Sequence, residues 1–271
     1  MDYKYIDIHC HLDMCKEQDN VAVRAAKAEV LIIAQGVNPE SNRKVLELAE
    51  KHENVLAALG IYPIDALAMS DKDIDSEIEF IRKNKDKVSA IGEVGIDHKE
   101  DQKHDVNSRV LDAHERLERS RHLENWERQE NIFRKFVKLS IDLDIPIIIH
   151  SRKAEEKIIE ILEDMGCKKV IMHCFCGNKK LEARIIANKW YLTVPTTVTR
   201  TQQFQERAAN CPLNQLFCET DAPYLHPDKG KEGENEPALV IRAYQEIAKI
   251  RNISEKEVIE QIKNNFKALF R

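Results

Sequence analysis

The chain has 271 residues, with 42 Lys+Arg against 47 Asp+Glu, a net charge of -5, 42% hydrophobic residues and seven cysteines. That length allows one barrel of about 250 residues or two smaller domains. The mildly acidic balance gives no chain-wide electrostatic reason to bind nucleic acid or an anionic membrane, so any nucleic-acid partner must be held by a local site.

No apolar run approaches the roughly 20 residues that span a bilayer, and Met1 to Lys4 lead almost directly into a strand-like segment instead of a signal peptide. Cys10, Cys15, Cys167, Cys174, Cys176, Cys211 and Cys218 contain no C-x-x-C pair and mostly have apolar neighbours. Reduced thiols in a cytoplasmic, unexported protein fit this pattern better than a disulfide framework.

Eight short apolar runs follow in chain order: Tyr5 to His11, Glu29 to Val37, Val55 to Ile61, Val88 to Ile96, Ile145 to His150, Lys169 to Cys174, Tyr191 to Val194 and Leu216 to Thr220. Several are apolar on successive residues, as strands covered by helices on both faces are. Between them lie segments with helical spacing, such as Ile74, Ile78 and Ile81, or Ile158, Ile161 and Leu162. Eight such units predict a single (β/α)8 TIM barrel over 1–271, with an open doubly wound sheet as the alternative. Ser254 and Glu257 form a capping box for a last helix that runs to Leu269.

The stretch Lys99 to Glu130 breaks the rhythm. It is dominated by charged residues and His, with Val106, Val110, Ala113 and Leu117 at helical spacing. It reads as an inserted amphipathic helix after the fourth strand that serves as a mobile lid or an oligomer contact, or as a solvated helix without function. His98, His104, His114 and His122 in or beside it read as exposed residues.

His9 and His11 are two apart on the first strand, so both side chains point to one side of it. Glu93 lies toward the end of the fourth strand, His150 ends the fifth, His173 ends the sixth and Asp221 follows the eighth. Each alone reads as readily as a hydrogen-bonded buried polar group. Together they bring costly buried groups to the rim where barrel enzymes keep their chemistry. Four imidazoles and two carboxylates suit two borderline divalent ions, with Glu93 assigned as the bridge that offers one oxygen to each.

The blocks IDIHCH, GEVGID, IIIHSR, MHCFCG and ETDAPYL, together with NEPALV at Asn235 to Val240, resemble the signature blocks of the TatD family of metal-dependent deoxyribonucleases, amidohydrolase-like enzymes built on a TIM barrel. They occur in family order from Ile6 to about Phe270. The resemblance implies His9, His11, Glu93, His150, His173 and Asp221 as metal ligands for magnesium, manganese or zinc. It further implies hydrolysis of DNA, often from a 3′ end, and a role for Asp221 in taking or positioning the proton of the attacking water.

There are departures. The family's G-x-H-P-H is here Gly60-Ile61-Tyr62-Pro63-Ile64, so Tyr62 and Ile64 replace two imidazoles. Tyr62 remains able to donate a hydrogen bond or stack on a base. Cys176 stands where Ser is commoner, and a thiolate metal site is disfavoured because no second Cys/His pair follows at zinc spacing. Arg152, two residues past His150, is a candidate phosphate clamp, its alternative being an ion pair with Glu155 or Glu156. Asp7, Asp97 and Glu219 read as groups that orient ligands or satisfy backbone.

The expected function is therefore a 3′ to 5′ exodeoxyribonuclease with Asp221 and Glu93 as catalytic groups, and with DNA, or else RNA, ends as substrate. The alternatives are an amidohydrolase of a small cyclic amide, lactone or phosphoester, and a non-catalytic metal-binding scaffold.

Overall fold

The computed structural model describes residues 3–98, 113–228, 230 and 234–270. Eight parallel strands pair in sequence order: β1 (Tyr5–Cys10), β2 (Val30–Gln35), β3 (Val55–Leu59), β4 (Val88–Asp97), β5 (Ile147–Arg152), β6 (Val170–Met172), β7 (Tyr191–Pro195) and β8 (Leu216–Glu219). A doubly wound sheet would reverse its strand order at a switch point, whereas here the order runs unbroken and the two ends meet. The Asp221 amide donates to the His9 carbonyl (2.9 Å) and the His11 amide to the Ala222 carbonyl (2.7 Å), which joins the end of β8 to the end of β1. The architecture is a (β/α)8 TIM barrel.

Successive apolar residues make these strands because both faces are covered. Ile32, Ile33, Ile148, Ile149, Leu192 and Phe217 are all fully buried, and each such side chain contributes about 1.5–3 kcal/mol on leaving water. The strands are shorter than the apolar runs where local chemistry interrupts the ladder. Glu29 takes a left-handed backbone (φ 58) just before β2, and β5 begins only after Pro146, which has no N–H to donate. At its other end β5 extends to Arg152.

The outer layer is α1 (Gln18–Lys27), α2 (Pro39–Lys51), α3 (Pro63–Leu67), α4 (Asp71–Lys83), α5 (Ala113–Leu143), α6 (Glu155–Asp164), α7 (Lys179–Ala187), α8 (Gln202–Asn210), α9 (Ile241–Arg251) and α10 (Glu255–Leu269). Short polar side chains start several of them. Asn38, Ser70 and Asn178 each accept an amide hydrogen from the third residue on, and Ser254 with Glu257 completes both halves of the expected capping box.

The stretch expected as an insertion falls on two parts. Residues 99–112, which include Val106 and Val110, lie outside the described residues, and from Ala113 the chain is in α5. Further along, α5 packs on the barrel through Ile132, Phe133, Phe136 and Val137, all buried at helical spacing. Gln129 lies at its boundary with β4: its amide accepts from Asp97 N–H (2.8 Å) and donates to Asp97 C=O (3.2 Å). That clamp fixes the end of β4 where the chain leaves the sheet. Among the described residues no helix is long and apolar enough to cross a membrane.

Candidate metal centre

All six groups expected from the sequence meet at the C-terminal ends of the strands. His9 lies on β1 and His11 one residue past its end; Glu93 is on β4, His150 on β5, His173 just after β6 and Asp221 two residues after β8. The four imidazoles and Glu93 are buried, and the Asp221 side chain is 15% exposed. The open side of this cluster is a pocket lined by His11, Glu93, His150, His173 and Asp221 with Tyr62, Arg152 and Tyr224 around them.

Glu93 sits at the middle and divides its oxygens. Oε2 faces the first-strand pair, 3.3 Å from His11 Nε2 and 3.7 Å from His9 Nε2. Oε1 faces the other pair, 2.9 Å from His150 Nδ1 and 4.0 Å from His173 Nε2. Asp221 Oδ1 lies 3.5 Å from both His9 Nε2 and His11 Nε2, and 3.9 Å from His173 Nε2. The two Nε2 atoms of His9 and His11 are 3.4 Å apart.

Four ligands at about 2.0–2.2 Å around a tetrahedral ion stand about 3.3–3.6 Å from one another. His9 Nε2 and His11 Nε2 lie 3.3 to 3.7 Å from each other, from Glu93 Oε2 and from Asp221 Oδ1, and His9, His11 and Glu93 form one group of converging donors. The residues therefore fit a divalent ion, and Glu93, His150 and His173 form a second group of converging donors.

Two further carboxylates orient the second pair of imidazoles. Asp97 Oδ2 is 2.9 Å from His150 Nε2, which turns Nδ1 toward Glu93, and Glu219 Oε2 is 2.8 Å from His173 Nδ1, which turns Nε2 inward. Buried carboxylates behind imidazoles fix the tautomer and raise ligand basicity. Asp7 supports backbone instead. Its oxygens accept the Thr220 amide (2.8 Å) and hydroxyl (2.5 Å) and so hold the turn that carries Asp221. Asn235, within the NEPALV stretch, donates to Thr220 C=O (2.7 Å) and Tyr224 C=O (2.8 Å) from the other side of that turn. Gly95 explains part of the GEVGID block, since a Cβ there would collide with the His150 carbonyl oxygen. Only glycine lets β4 come that close to β5.

Electrostatics within the cluster are strongly coupled. Burial alone would raise Glu93, yet hydrogen bonds from His11 and His150 hold it well below the carboxylate range. Burial opposes charge on His11, but Asp221 and Glu93 outweigh it and raise that imidazole well above its usual value. His173 is likewise raised, to about 9, against burial and through Glu219. His9 moves the other way, lowered by burial and by neighbouring His173, whose ring stacks on it at 3.5 Å. Asp221 is pushed down despite burial by the His11 and His9 contacts.

The substrate-facing candidates differ in setting. Tyr62, the replacement for a family imidazole, donates its hydroxyl to Asp97 Oδ2 (2.7 Å) and packs edge-on against His150 at 4.9 Å. Arg152 is half-exposed in the pocket wall, and its acidic neighbour is Asp97, 3.6 Å from Nη1, instead of Glu155 or Glu156. Asp97 is thus the shared anchor of Tyr62, His150 and Arg152. Ile64 is 37% exposed on α3 and stands outside the pocket lining. His98 stacks on Trp126 of α5 at 4.2 Å, away from the lining.

Sequence reasoning passed over Ser151 and Tyr224. Ser151 is buried against the pocket with a hydroxyl that has no hydrogen-bond partner among the described residues, and Tyr224 is 55% exposed at the mouth, 6.1 Å from the His11 ring. Position in the matched blocks IIIHSR and ETDAPYL was the signal available for both. Cys174 and Cys176 also line the pocket. The neighbouring Cys174 side chain lowers Cys176 to about 6, against the effect of burial.

The family model described as TatD related DNase matches residues 6–271. The chain belongs to the TatD family. Among curated TatD relatives, an uncharacterized metal-dependent hydrolase of Methanocaldococcus jannaschii is 33% identical over 267 residues, covering 97% of this chain and 96% of that protein. A human protein named as a deoxyribonuclease, TATDN3, is 30% identical over 276 residues, covering 98% of this chain and 94% of its own. The crystal structure of the TatD homolog YjjV from Escherichia coli superposes with a TM-score of 0.83 at 26% identity, covering 100% of this chain and 99% of that one. This TatD protein is a metal-dependent hydrolase.

Proposed function

We propose that this hydrolase removes nucleotides from DNA ends in the 3′ to 5′ direction, with two divalent ions held by His9, His11, Glu93, His150, His173 and Asp221. The observation that carries the reading is the division of Glu93: one oxygen faces His9 and His11, the other His150 and His173. Divalent ions held by these residues would supply a Lewis acid for the phosphoryl group and would acidify the attacking water.

The chain's own groups do the rest. Asp221, at the open edge of the cluster, orients the water and accepts its proton. Because the neighbouring imidazoles hold this carboxylate low, it contributes more by position than by basicity. Arg152 clamps a non-bridging phosphate oxygen from the pocket wall, and its contact with Asp97 limits the rotamers it must give up to do so. Tyr62, with its hydroxyl committed to Asp97, keeps Arg152 and His150 in register and offers its ring edge to a base or sugar. The preference for DNA over RNA rests on the human relative's name as a deoxyribonuclease.

The test is turnover of end-labelled single-stranded DNA, RNA of the same sequence, a generic phosphodiester and a simple lactone, each with magnesium, manganese or zinc. The reading predicts stepwise loss from the 3′ end of DNA. Turnover of the lactone alone would assign the centre to carbonyl chemistry.

A further inference from the structure

Cys174 and Cys176 are set apart from the other cysteines. Cys10, Cys15, Cys167, Cys211 and Cys218 are buried in the barrel and its shell, whereas Cys176 is exposed and Cys174 partly so, and both line the metal pocket. One residue, Phe175, separates them, and it is fully buried beneath the loop. Arg207 of α8, itself buried, donates to the Phe175 carbonyl (2.6 Å), so the middle of the loop is pinned while Cys176 stays exposed. Cys174 takes a left-handed backbone, φ 39, and the Cys176 thiol turns back onto the Cys174 carbonyl at 3.3 Å.

Neither sulfur is used in the chemistry proposed above. We infer that Cys174 and Cys176 form a redox-sensitive dithiol that a hydroperoxide closes into a disulfide at the mouth of the metal pocket. Residues two apart are never more than about 7 Å from Cα to Cα, close to the span a disulfide bridges.

The exposed Cys176 sulfur, as thiolate, attacks the outer peroxide oxygen. The O–O bond breaks, a sulfenic acid forms on Cys176, and the leaving hydroxide takes up the proton that the thiol gave up. The Cys174 sulfur then attacks the Cys176 sulfur, expelling hydroxide, which leaves as water with the Cys174 proton. Two thiols lose two electrons and two protons, and hydrogen peroxide becomes two waters.

Closure would reach the metal centre through a short path. The Cys174 amide donates to Glu219 Oε1 (3.1 Å) and to Thr193 Oγ1 (2.8 Å), and the other oxygen of Glu219 orients His173. Pulling Cys174 toward Cys176 strains the carboxylate on which His173 depends. The inference rests on the proposed metal centre for its effect on turnover, but the disulfide itself does not.

The experiment treats the metal-loaded protein with stoichiometric hydrogen peroxide, then measures free thiols, the cross-linked peptide by mass spectrometry, and turnover of a generic phosphodiester. Expected are the loss of two thiols, a peptide linking Cys174 to Cys176, and a fall in turnover of about tenfold or more, all reversed by dithiothreitol. Cys176→Ser should keep the starting turnover and resist peroxide. Inactivation of Cys176→Ser to the same extent, or failure of the 174–176 link to form in the parent protein, would overturn the inference. If the protein has no phosphodiesterase activity but still forms the link reversibly, the dithiol stands and the proposed function falls.

Discussion

The two pairs of imidazoles are built on different principles. His150 and His173 come from neighbouring strands and each leans on a carboxylate, Asp97 at 2.9 Å and Glu219 at 2.8 Å. His9 and His11 come from one strand, and their Nδ1 atoms are buried with no hydrogen-bond partner among the described residues. Their positions are set by strand periodicity, by the stack of His9 on His173 at 3.5 Å, and by the Glu93 and Asp221 oxygens in front of them. One half of the centre is therefore oriented by charge from behind, and the other by packing and by what it faces.

Removing the shared group should break both halves together. Glu93→Ala is expected to abolish turnover and lower bound metal, as read by elemental analysis and a phosphodiesterase assay, because each pair of imidazoles loses its common partner.

The oriented half can then be attacked alone. Glu219→Gln and Asp97→Asn keep shape but remove the charge behind His173 and His150, and each is expected to weaken metal binding about 10–100-fold. Competition with a chelator should show one class of site weakened and the other unchanged. If both classes weaken equally, the two halves are not independent.

A subtler contrast separates binding of metal from binding of phosphate. Arg152→Ala removes a charge-assisted contact of about 1.5–3 kcal/mol, and should lower kcat/KM on phosphodiesters with metal content unchanged. An equal loss on an uncharged lactone would make Arg152 a structural partner of Asp97.

Gln129→Ala removes the two hydrogen bonds between the Gln129 amide and the Asp97 backbone and should cost about 1–3 kcal/mol of stability, read as a lower Tm. The smallest effect is expected from His98→Ala. It loses a stack on Trp126 of about 0.5–1.5 kcal/mol and should leave metal content and turnover as they were.

The convergence of six groups was legible because a parallel barrel turns a one-dimensional pattern, polar groups at strand ends, into a single rim. The carboxylates at Asp97 and Glu219 were legible as orienting groups for the same reason, lying at the strand ends beside the ligands. The partnership of Arg152 was not, because its local neighbours Glu155 and Glu156 gave no hint that Asp97, across the β4–β5 pair, was nearer. The start of α5 was also obscured. Charged residues fill the helix up to Arg128, and the apolar face of Ile132, Phe133 and Phe136 begins only after the stretch read as an insertion. Ser151 and Tyr224 carry no pattern of their own, since a serine beside a histidine and an exposed tyrosine are common on any surface.

The central claim is that Glu93 joins two ion sites into one centre, and metal stoichiometry tests it most directly. The purified protein, saturated with manganese or zinc and then desalted, should hold two ions per chain by elemental analysis, and Glu93→Gln should hold fewer than one and show no turnover. Two tightly held ions in the Glu93→Gln protein, or a single ion in the parent with full activity, would contradict it.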